Sequence, residues 1–357
     1  MTQTDSLDKI DPQLAALKEA IRQLESVVVA YSGGVDSTLL LAVAHDVLGP
    51  DRCLGVTGIS SSLAPEEYED AKNVAEQIGA TWIVIDTGEM DDPGYRQNDA
   101  DRCYYCKRDL FTRLRKLADE RGYAVVIDGT NADDEGDWRP GERAGREIGI
   151  RSPLKETNIG KPGIRELSRL YGLPTAEKQS FACLASRLPY GTQVTPERLE
   201  QVARAETALR NERFHTFRVR YHGDTARLEL GPDELLRVAE PAVAQRLVTA
   251  IRAEGFQHIA VDLAGFRSGS QNEKSRDSNL LSISSDDQVL RQAGFDGVQT
   301  VPDGKMIRLI VPSNEMPRVW EPEVRTALVE GFRENGYLYV AADLAPRNAT
   351  ERVEGTI

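Results

Sequence analysis

Apolar residues at Leu14, Leu17, Ile21 and Leu24 have helical spacing and predict a helix over 13–25. The continuous apolar run from Val27 to Tyr31 has the length and character of a strand buried on both faces. Two glycines and a helical pattern from Ser37 to Leu48 come next. Strand patterns recur at 53–58, 81–86 and 124–128, with helical stretches at 65–78 and 107–121 between them. Strands and helices alternating at this spacing predict an α/β fold with a doubly wound parallel sheet.

The pattern changes after about residue 190. A helix at 196–212, strands at 214–221 and 225–230, a helix at 233–254 and a strand at 257–263 make a small α+β module. The polar stretch RSGSQNEKSRDS then reads as a linker. Beyond it the module returns, shifted by 81 residues. Arg227 aligns with Arg308, Glu234 with Glu315, Arg237 with Arg318, Pro241 with Pro322, Gly255 with Gly336 and Asp262 with Asp343. This is a degenerate tandem duplication. The expected division is an α/β domain at 1–192, a first module at 193–268, a linker at 269–284 and a repeat module at 285–357.

The formal charge of −13 weighs against a partner as anionic as nucleic acid and favours a small-molecule substrate. No apolar run is long enough for a membrane helix. The start, MTQTDSLDKIDPQL, lacks the basic and apolar segments of a secretory leader, so a cytoplasmic, reducing location is expected. There a CxxC pair is a metal or redox site more often than a disulfide. Half of the four cysteines, Cys103 and Cys106, sit in such a pair, in DRCYYCKRDLF. Cys53 opens a strand pattern and reads as core.

The strongest motif is SGGVDS, Ser32-Gly33-Gly34-Val35-Asp36-Ser37, between the first strand and its helix. Glycines let the backbone approach an anion, and amides at a helix start favour phosphate. Ser32 and Ser37 offer hydroxyls, and Asp36 suits a magnesium ion or the ordering of the turn. The lysine of a Walker A loop is missing. The hexapeptide resembles the signature of the PP-loop ATP pyrophosphatases, which cleave ATP to AMP and pyrophosphate and adenylate a substrate. The resemblance implies an adenine nucleotide α-hydrolase-like fold, with Ser32 to Ser37 on the pyrophosphate. It places the edge Gly55 to Gly58, including Thr57, near adenine. It places Gly129, Thr130 and Asn131 of DGTNADD near the AMP, with Asp133 or Asp134 assisting the metal or capping a helix.

Cys183 lies in SFACLASRLPYG. A cysteine between Ala and Leu is by itself a small apolar residue, but Ser186, Arg187, Pro189 and Gly191 suggest an irregular, electropositive segment that activates a thiol. With RCYYCK, DGTNADDEGDWRPG, IRSPL and CLASRLPYG, residues 10–272 resemble the LarE sulfur transferases. That family activates a carboxylate of a pyridinium biscarboxylate mononucleotide with ATP and turns it into a thiocarboxylate, for a nickel-pincer nucleotide cofactor. Two sulfur routes exist in it. In one, the cysteine matching Cys183 gives up its sulfur and becomes dehydroalanine. In the other, three cysteines, here Cys103, Cys106 and Cys183, bind a 4Fe–4S cluster that carries sulfide. The expectation is the cluster, with ATP and Mg2+. Zinc, which needs a fourth ligand, and free thiols with a sacrificial Cys183 are the alternatives.

Arg139, Arg143 and Arg187 suit carboxylate or phosphate, and Trp138 either stacks on a pyridinium ring or anchors its loop. Period two in FRVRYHGDTARLEL puts Arg218, Arg220 and His222 on one strand face, with Glu229 on the next strand. The repeat has Gln299, Val301, Asp303 and Ile310 at those positions, so this face suggests a phosphate site of the first copy. Cys183, Arg187, Arg218 and Glu229 are the expected catalytic set. A pyridinium mononucleotide substrate, sulfide or a cysteine desulfurase as donor, and a homo-oligomer are expected, without nucleic acid or membrane. The rival functions are a PP-loop tRNA thiolase, an ammonia-using synthetase and a nucleotide-binding scaffold.

Overall fold

The computed structural model describes residues 3–134, 140–179, 182–267, 270 and 283–345. The chain forms two compact units, Met1–Ala185 with Tyr190–Pro196, and Ser186–Pro189 with Glu197–Ile357.

The first unit is α/β. Strands β1 (Val27–Ala30), β2 (Cys53–Ile59), β3 (Thr81–Asp86) and β4 (Val125–Ile127) make a parallel sheet in the order β3-β2-β1-β4. β1 is central, and its side chains alternate between two apolar layers. Val27, Val29 and Tyr31 join Leu17, Ile21, Leu39 and Ile164, whereas Val28 joins Phe111, Leu114 and Ala144. Burial on both faces is why β1 is an unbroken apolar run. Cys53 is fully buried in the first layer.

The CxxC helix spans Arg102–Arg121, starting five residues before the apolar periodicity does. Its first turns carry polar residues, so periodicity could not mark them. The helix pattern at 233–254 is two helices, Pro232–Val238 and Pro241–Ala253. Pro241 has no N–H to continue the first, and begins the second at the position where that donor is not needed.

The second unit is built on one six-stranded sheet. Its strands are β5 (Phe217–His222), β6 (Thr225–Leu230), β7 (His258–Asp262), β8 (Gln299–Asp303), β9 (Met306–Ile310) and β10 (Tyr339–Asp343), in the order β5-β6-β7-β10-β9-β8. The order is palindromic. Each half is an antiparallel pair extended by a parallel strand, and the halves meet at the antiparallel β7–β10 seam, where Ala342 faces Val261. Adding 81 to Pro241–Ala253 gives 322–334, the bounds of helix Pro322–Glu334, and the same shift carries β7 onto β10. Contacts repeat with the shift. Arg237 donates to the carbonyls of Glu212 and Arg213 and lies 4.5 Å from the Phe214 ring centre. Arg318 donates to those of Ala293 and Gly294 and lies 4.7 Å from Phe295.

Charge is buried beside the seam in both halves. Arg308 pairs with Asp343 at 3.1 Å, and Arg227 pairs with Asp262 and with Glu229 at 3.1 Å. Arg227 also lies 3.7 Å from the Tyr339 ring centre and donates to Nε2 of His222 at 3.2 Å. Removing one partner of such a pair strands a charge. Asp343→Ala is expected to destabilise the second unit by about 3 kcal/mol, with Arg308→Met in the same chain recovering part of the loss. Urea unfolding followed through buried Trp320 would measure it.

Burial, then the charges of Arg227 and Arg220, pushes the His222 imidazole from 6.5 down to about 3. The unfolded chain therefore binds a proton here between those values and the folded chain does not. Stability is expected to fall as pH drops from about 6.5 towards 3, by up to about 1 kcal/mol per pH unit from this group. Urea midpoints at pH 7, 6 and 5 should fall less steeply in His222→Gln, which keeps an acceptor for Arg227.

Candidate functional site

The SGGVDS turn leaves the C-terminal end of β1. Gly33 has φ of 71°, and a Cβ there would come within 2.9 Å of the Ala71 Cβ, so neither backbone nor space admits a side chain. Ser32 and Ser37 share a hydrogen bond of 3.1 Å between their hydroxyls, and Ser37 also donates to the Gly34 carbonyl. Helix Val35–Leu48 starts here, aiming its first amides out of the turn. A Cβ at Gly129 would meet Ser37 N at 3.0 Å and Asp36 Cβ at 3.1 Å, so the DGTN loop packs directly on the turn. Thr130 donates its hydroxyl to Asp128 at 2.8 Å, and buried Asn131 gives its N–H to Asp134. Asp133 takes the N–H of Lys161, the first residue of helix Lys161–Leu170. Thr57 is buried, donating to the Tyr31 carbonyl at 2.7 Å and accepting from Trp82 Nε1, so its hydroxyl fixes the strand end that carries the turn.

Lys161 supplies the cation that the loop lacks. Its Nζ lies 2.5 Å from Asp36 Oδ2. Asp36 Oδ1 is buried and has no partner among the described residues. Burial raises the Asp36 carboxyl above its ordinary range, against the pull of Lys161. Separated from Asp36 by 125 positions, this lysine has no mark in the local sequence.

The thiols gather at another part of the same unit. Cys103 and Cys106 lie in the first two turns of helix Arg102–Arg121, on neighbouring positions of one face. The stretch around Cys183 is tied to them. Leu184 N–H donates to the Ser62 carbonyl at 3.0 Å, and buried Arg102 donates to the Ala185 carbonyl at 2.8 Å and to Asn98 Oδ1. Asn98 in turn holds Thr192 and Gly191. Burial opposes the charge of Arg102, but Cys183 and Cys103 support it, and its affinity for the proton is raised. Cys183 and Cys103 are exposed. Cys106 is half-buried, and desolvation, with Cys183 and Glu89 nearby, pushes its thiol well up.

The expectation of a 4Fe–4S cluster is overturned here. Among the described residues no three His, Cys, Asp or Glu side chains are placed to hold a metal ion. Cys103 and Cys106 sit on the helix Arg102–Arg121, whereas Cys183 belongs to a separate stretch held through Arg102 and Ser62. The cysteines are free thiols.

The remaining expected residues divide between the units. In the first, Arg143 lies 3.9 Å from the Tyr104 ring centre and near Asp101 and Glu147. Arg139 and Trp138 lie outside the described residues. In the second, buried Arg187 is paired with Glu206 at 2.8 Å. Glu229, fully buried, receives Arg220 at 2.8 Å, Arg227, and the hydroxyl of Ser270. Arg218, opposite Glu229 in the ladder, makes no hydrogen bond or ion pair among the described residues and rests 4.8 Å from the Phe266 ring centre. Burial and the charges of Arg220 and Arg187 lower it to about 10. Sequence reasoning passed over Arg102, Lys161, Ser60, Ser62, Glu89 and Tyr95; only Arg102 stands in a motif, RCYYCK, and the contacts Lys161–Asp36, Glu89–Ser62 and Arg102–Ala185 join residues distant in sequence.

No helix among the described residues is long and apolar enough to cross a membrane. The profile of the NAD synthase family matches residues 13–119. An uncharacterised protein of Synechocystis sp. is 42% identical over 263 residues, 74% of this chain and 98% of the relative. An uncharacterised protein of Methanocaldococcus jannaschii is 29% identical over 252 residues, 71% of this chain and 94% of the relative. The pyridinium-3,5-bisthiocarboxylic acid mononucleotide synthase of Lactiplantibacillus plantarum is 39% identical over 260 residues, 72% of this chain and 93% of the synthase. With that identity over nearly the whole synthase, this chain belongs to the synthase's family, the LarE-like branch of the PP-loop proteins.

Proposed function

We propose that the protein is an ATP-dependent sulfur transferase that converts a carboxylate of pyridinium-3,5-biscarboxylic acid mononucleotide into a thiocarboxylate, with Cys183 as the sulfur source and without a cluster. The observation that carries this reading is the exposed Cys183, tied by Leu184 and Ala185 beside the Arg102 guanidinium in the unit that also bears the SGGVDS turn.

ATP enters as its magnesium complex. Amides and hydroxyls from Ser32 to Ser37 take the pyrophosphate portion, Lys161 adds positive charge, and the open Oδ1 of Asp36 is a ligand for the incoming magnesium. Gly129, Thr130 and Asn131 line the adjoining AMP position. The substrate carboxylate attacks the α-phosphorus and pyrophosphate leaves. The Cys183 sulfur then attacks the acyl carbon, AMP leaves, and a thioester joins substrate to protein. Loss of the Cys183 Cα proton and cleavage of its Cβ–S bond release the thiocarboxylate and leave dehydroalanine.

Mass spectrometry of the metal-free chain after reaction with ATP, magnesium and the biscarboxylate nucleotide should show the loss of the mass of hydrogen sulfide at Cys183, with one AMP formed per thiocarboxylate. Cys183→Ser should release pyrophosphate yet make no thiocarboxylate. Unchanged protein mass alongside product would refute the sacrificial route.

On the second unit, the guanidinium of Arg218, without a hydrogen bond or ion pair among the described residues, is the group proposed to take a phosphate. Buried Arg187 and Glu229 hold the charges around it. Arg218→Ala should weaken inorganic phosphate binding to the chain at least about tenfold, the cost of one charge-assisted contact, while Tm stays within about 2 °C. A large fall in Tm would assign Arg218 to the scaffold instead.

A further inference from the structure

Glu89 is a buried carboxylate that the fold does not satisfy. It sits in a short turn, Glu89–Asp91, after β3, and is 2% exposed. One oxygen, Oε1, accepts the hydroxyls of Ser60 and, at 3.1 Å, of Ser62. The other, Oε2, is buried with no partner among the described residues, and no cation among them is paired with it. Burying an ionisable carboxylate is costly, and structural examples satisfy both oxygens. Tyr95 is 1% exposed, and its hydroxyl has the Ser62 hydroxyl nearby but no partner at full hydrogen-bond geometry among the described residues.

These groups face the thiols. Burial raises the Tyr95 hydroxyl, and the further charges that raise it are Cys183, Cys106 and Glu89, in that order. The Cys106 thiol feels Cys183 and Glu89 as well. Ser62 connects them covalently and through hydrogen bonds: its hydroxyl holds Glu89, and its carbonyl accepts Leu184 N–H, next to Cys183. Two buried polar groups thus lie beside the one cysteine whose chemistry needs both a proton acceptor and a proton donor.

We propose that Glu89 is the base that removes the Cα proton of Cys183 when the thiocarboxylate departs, and that Tyr95 donates a hydrogen bond to the departing sulfur. The proposal rests on the sacrificial reading of Cys183. The Cα–H bond breaks, with its proton going to Glu89 Oε2. Its electron pair forms the Cα=Cβ double bond. The Cβ–S bond breaks, and its pair leaves on the thiocarboxylate sulfur. No oxidant or reductant is consumed. Ser60 and Ser62 hold Oε1 so that Oε2 faces the reacting centre.

The test is single turnover of the full chain, with AMP release and intact mass followed together. Glu89→Gln keeps the shape and the serine bonds. It is expected to release AMP at the wild-type rate, accumulate chain carrying the substrate acyl group on Cys183, and form dehydroalanine at least about a hundredfold more slowly, the usual scale of a missing general base. Glu89→Asp should recover part of the rate, and Tyr95→Phe should slow the same step. Dehydroalanine at the wild-type rate in Glu89→Gln overturns the proposal. So does an equal loss of AMP release, which would assign Glu89 to the scaffold. A wild-type chain that yields thiocarboxylate while Cys183 keeps its sulfur overturns the sacrificial reading, and this proposal with it.

Discussion

The arrangement around Cys183 depends on the buried guanidinium of Arg102. The chain from Ala182 to Val194 contains only a single short turn, Leu184–Arg187, so its position comes from bonds to other elements. Arg102 provides one to the Ala185 carbonyl and another to Asn98, itself in a left-handed conformation at φ 56° where helix Pro93–Gln97 ends. Asn98 then holds both Thr192 and Gly191. Hydrogen bonds to a charged group contribute about 1.5–3 kcal/mol each, enough to fix an irregular segment that buries little apolar area of its own. The same cation lies at the first residue of the CxxC helix. One residue therefore anchors both the start of the CxxC helix and the Cys183 stretch, and gives Cys183 and Cys103 a positive neighbour.

That dependence explains what the sequence reveals. Strands β1 to β3 and the glycine turn are legible because their signals are local: an apolar run, a glycine pair, a helical stripe. The α/β class follows from their order. The partners of the turn are not legible, because a sequence does not show that Lys161 reaches Asp36 or that Ser62 reaches Leu184. Those contacts exist only once the sheet has brought its strand ends together. Period two correctly puts Arg218, Arg220 and His222 on alternate positions, but cannot tell a solvated face from a buried ion network. Ion pairing lets Arg220 and Glu229 be almost entirely buried.

The tandem modules separate scaffold from chemistry by internal comparison. What recurs after 81 residues is what a palindromic sheet needs: an Arg–Asp pair beside each seam strand, and an arginine holding two carbonyls at each helix end. What does not recur is the Arg218, Arg220 and Glu229 set, replaced by Gln299, Val301 and Ile310. A buried charge network costs desolvation, and the second copy has uncharged residues at these positions. The antiparallel β7–β10 seam also covers an edge that a single module would leave open to other strands.

The four cysteines show how one residue type is given separate chemistries by its surroundings. Cys53 lies in the sheet core, where burial alone drives its thiol up to about 12 and leaves it inert. Cys106 is half-buried, and desolvation and neighbouring negative charge push its thiol up. Cys183 is exposed, in a stretch held by the Arg102 guanidinium and the Ser62 carbonyl. Among the described residues the three sulfurs are not placed to hold a metal ion. A single thiolate that attacks and is then cleaved from its own Cβ needs only one, and the surrounding donors and acceptor suit that sequence of bond changes.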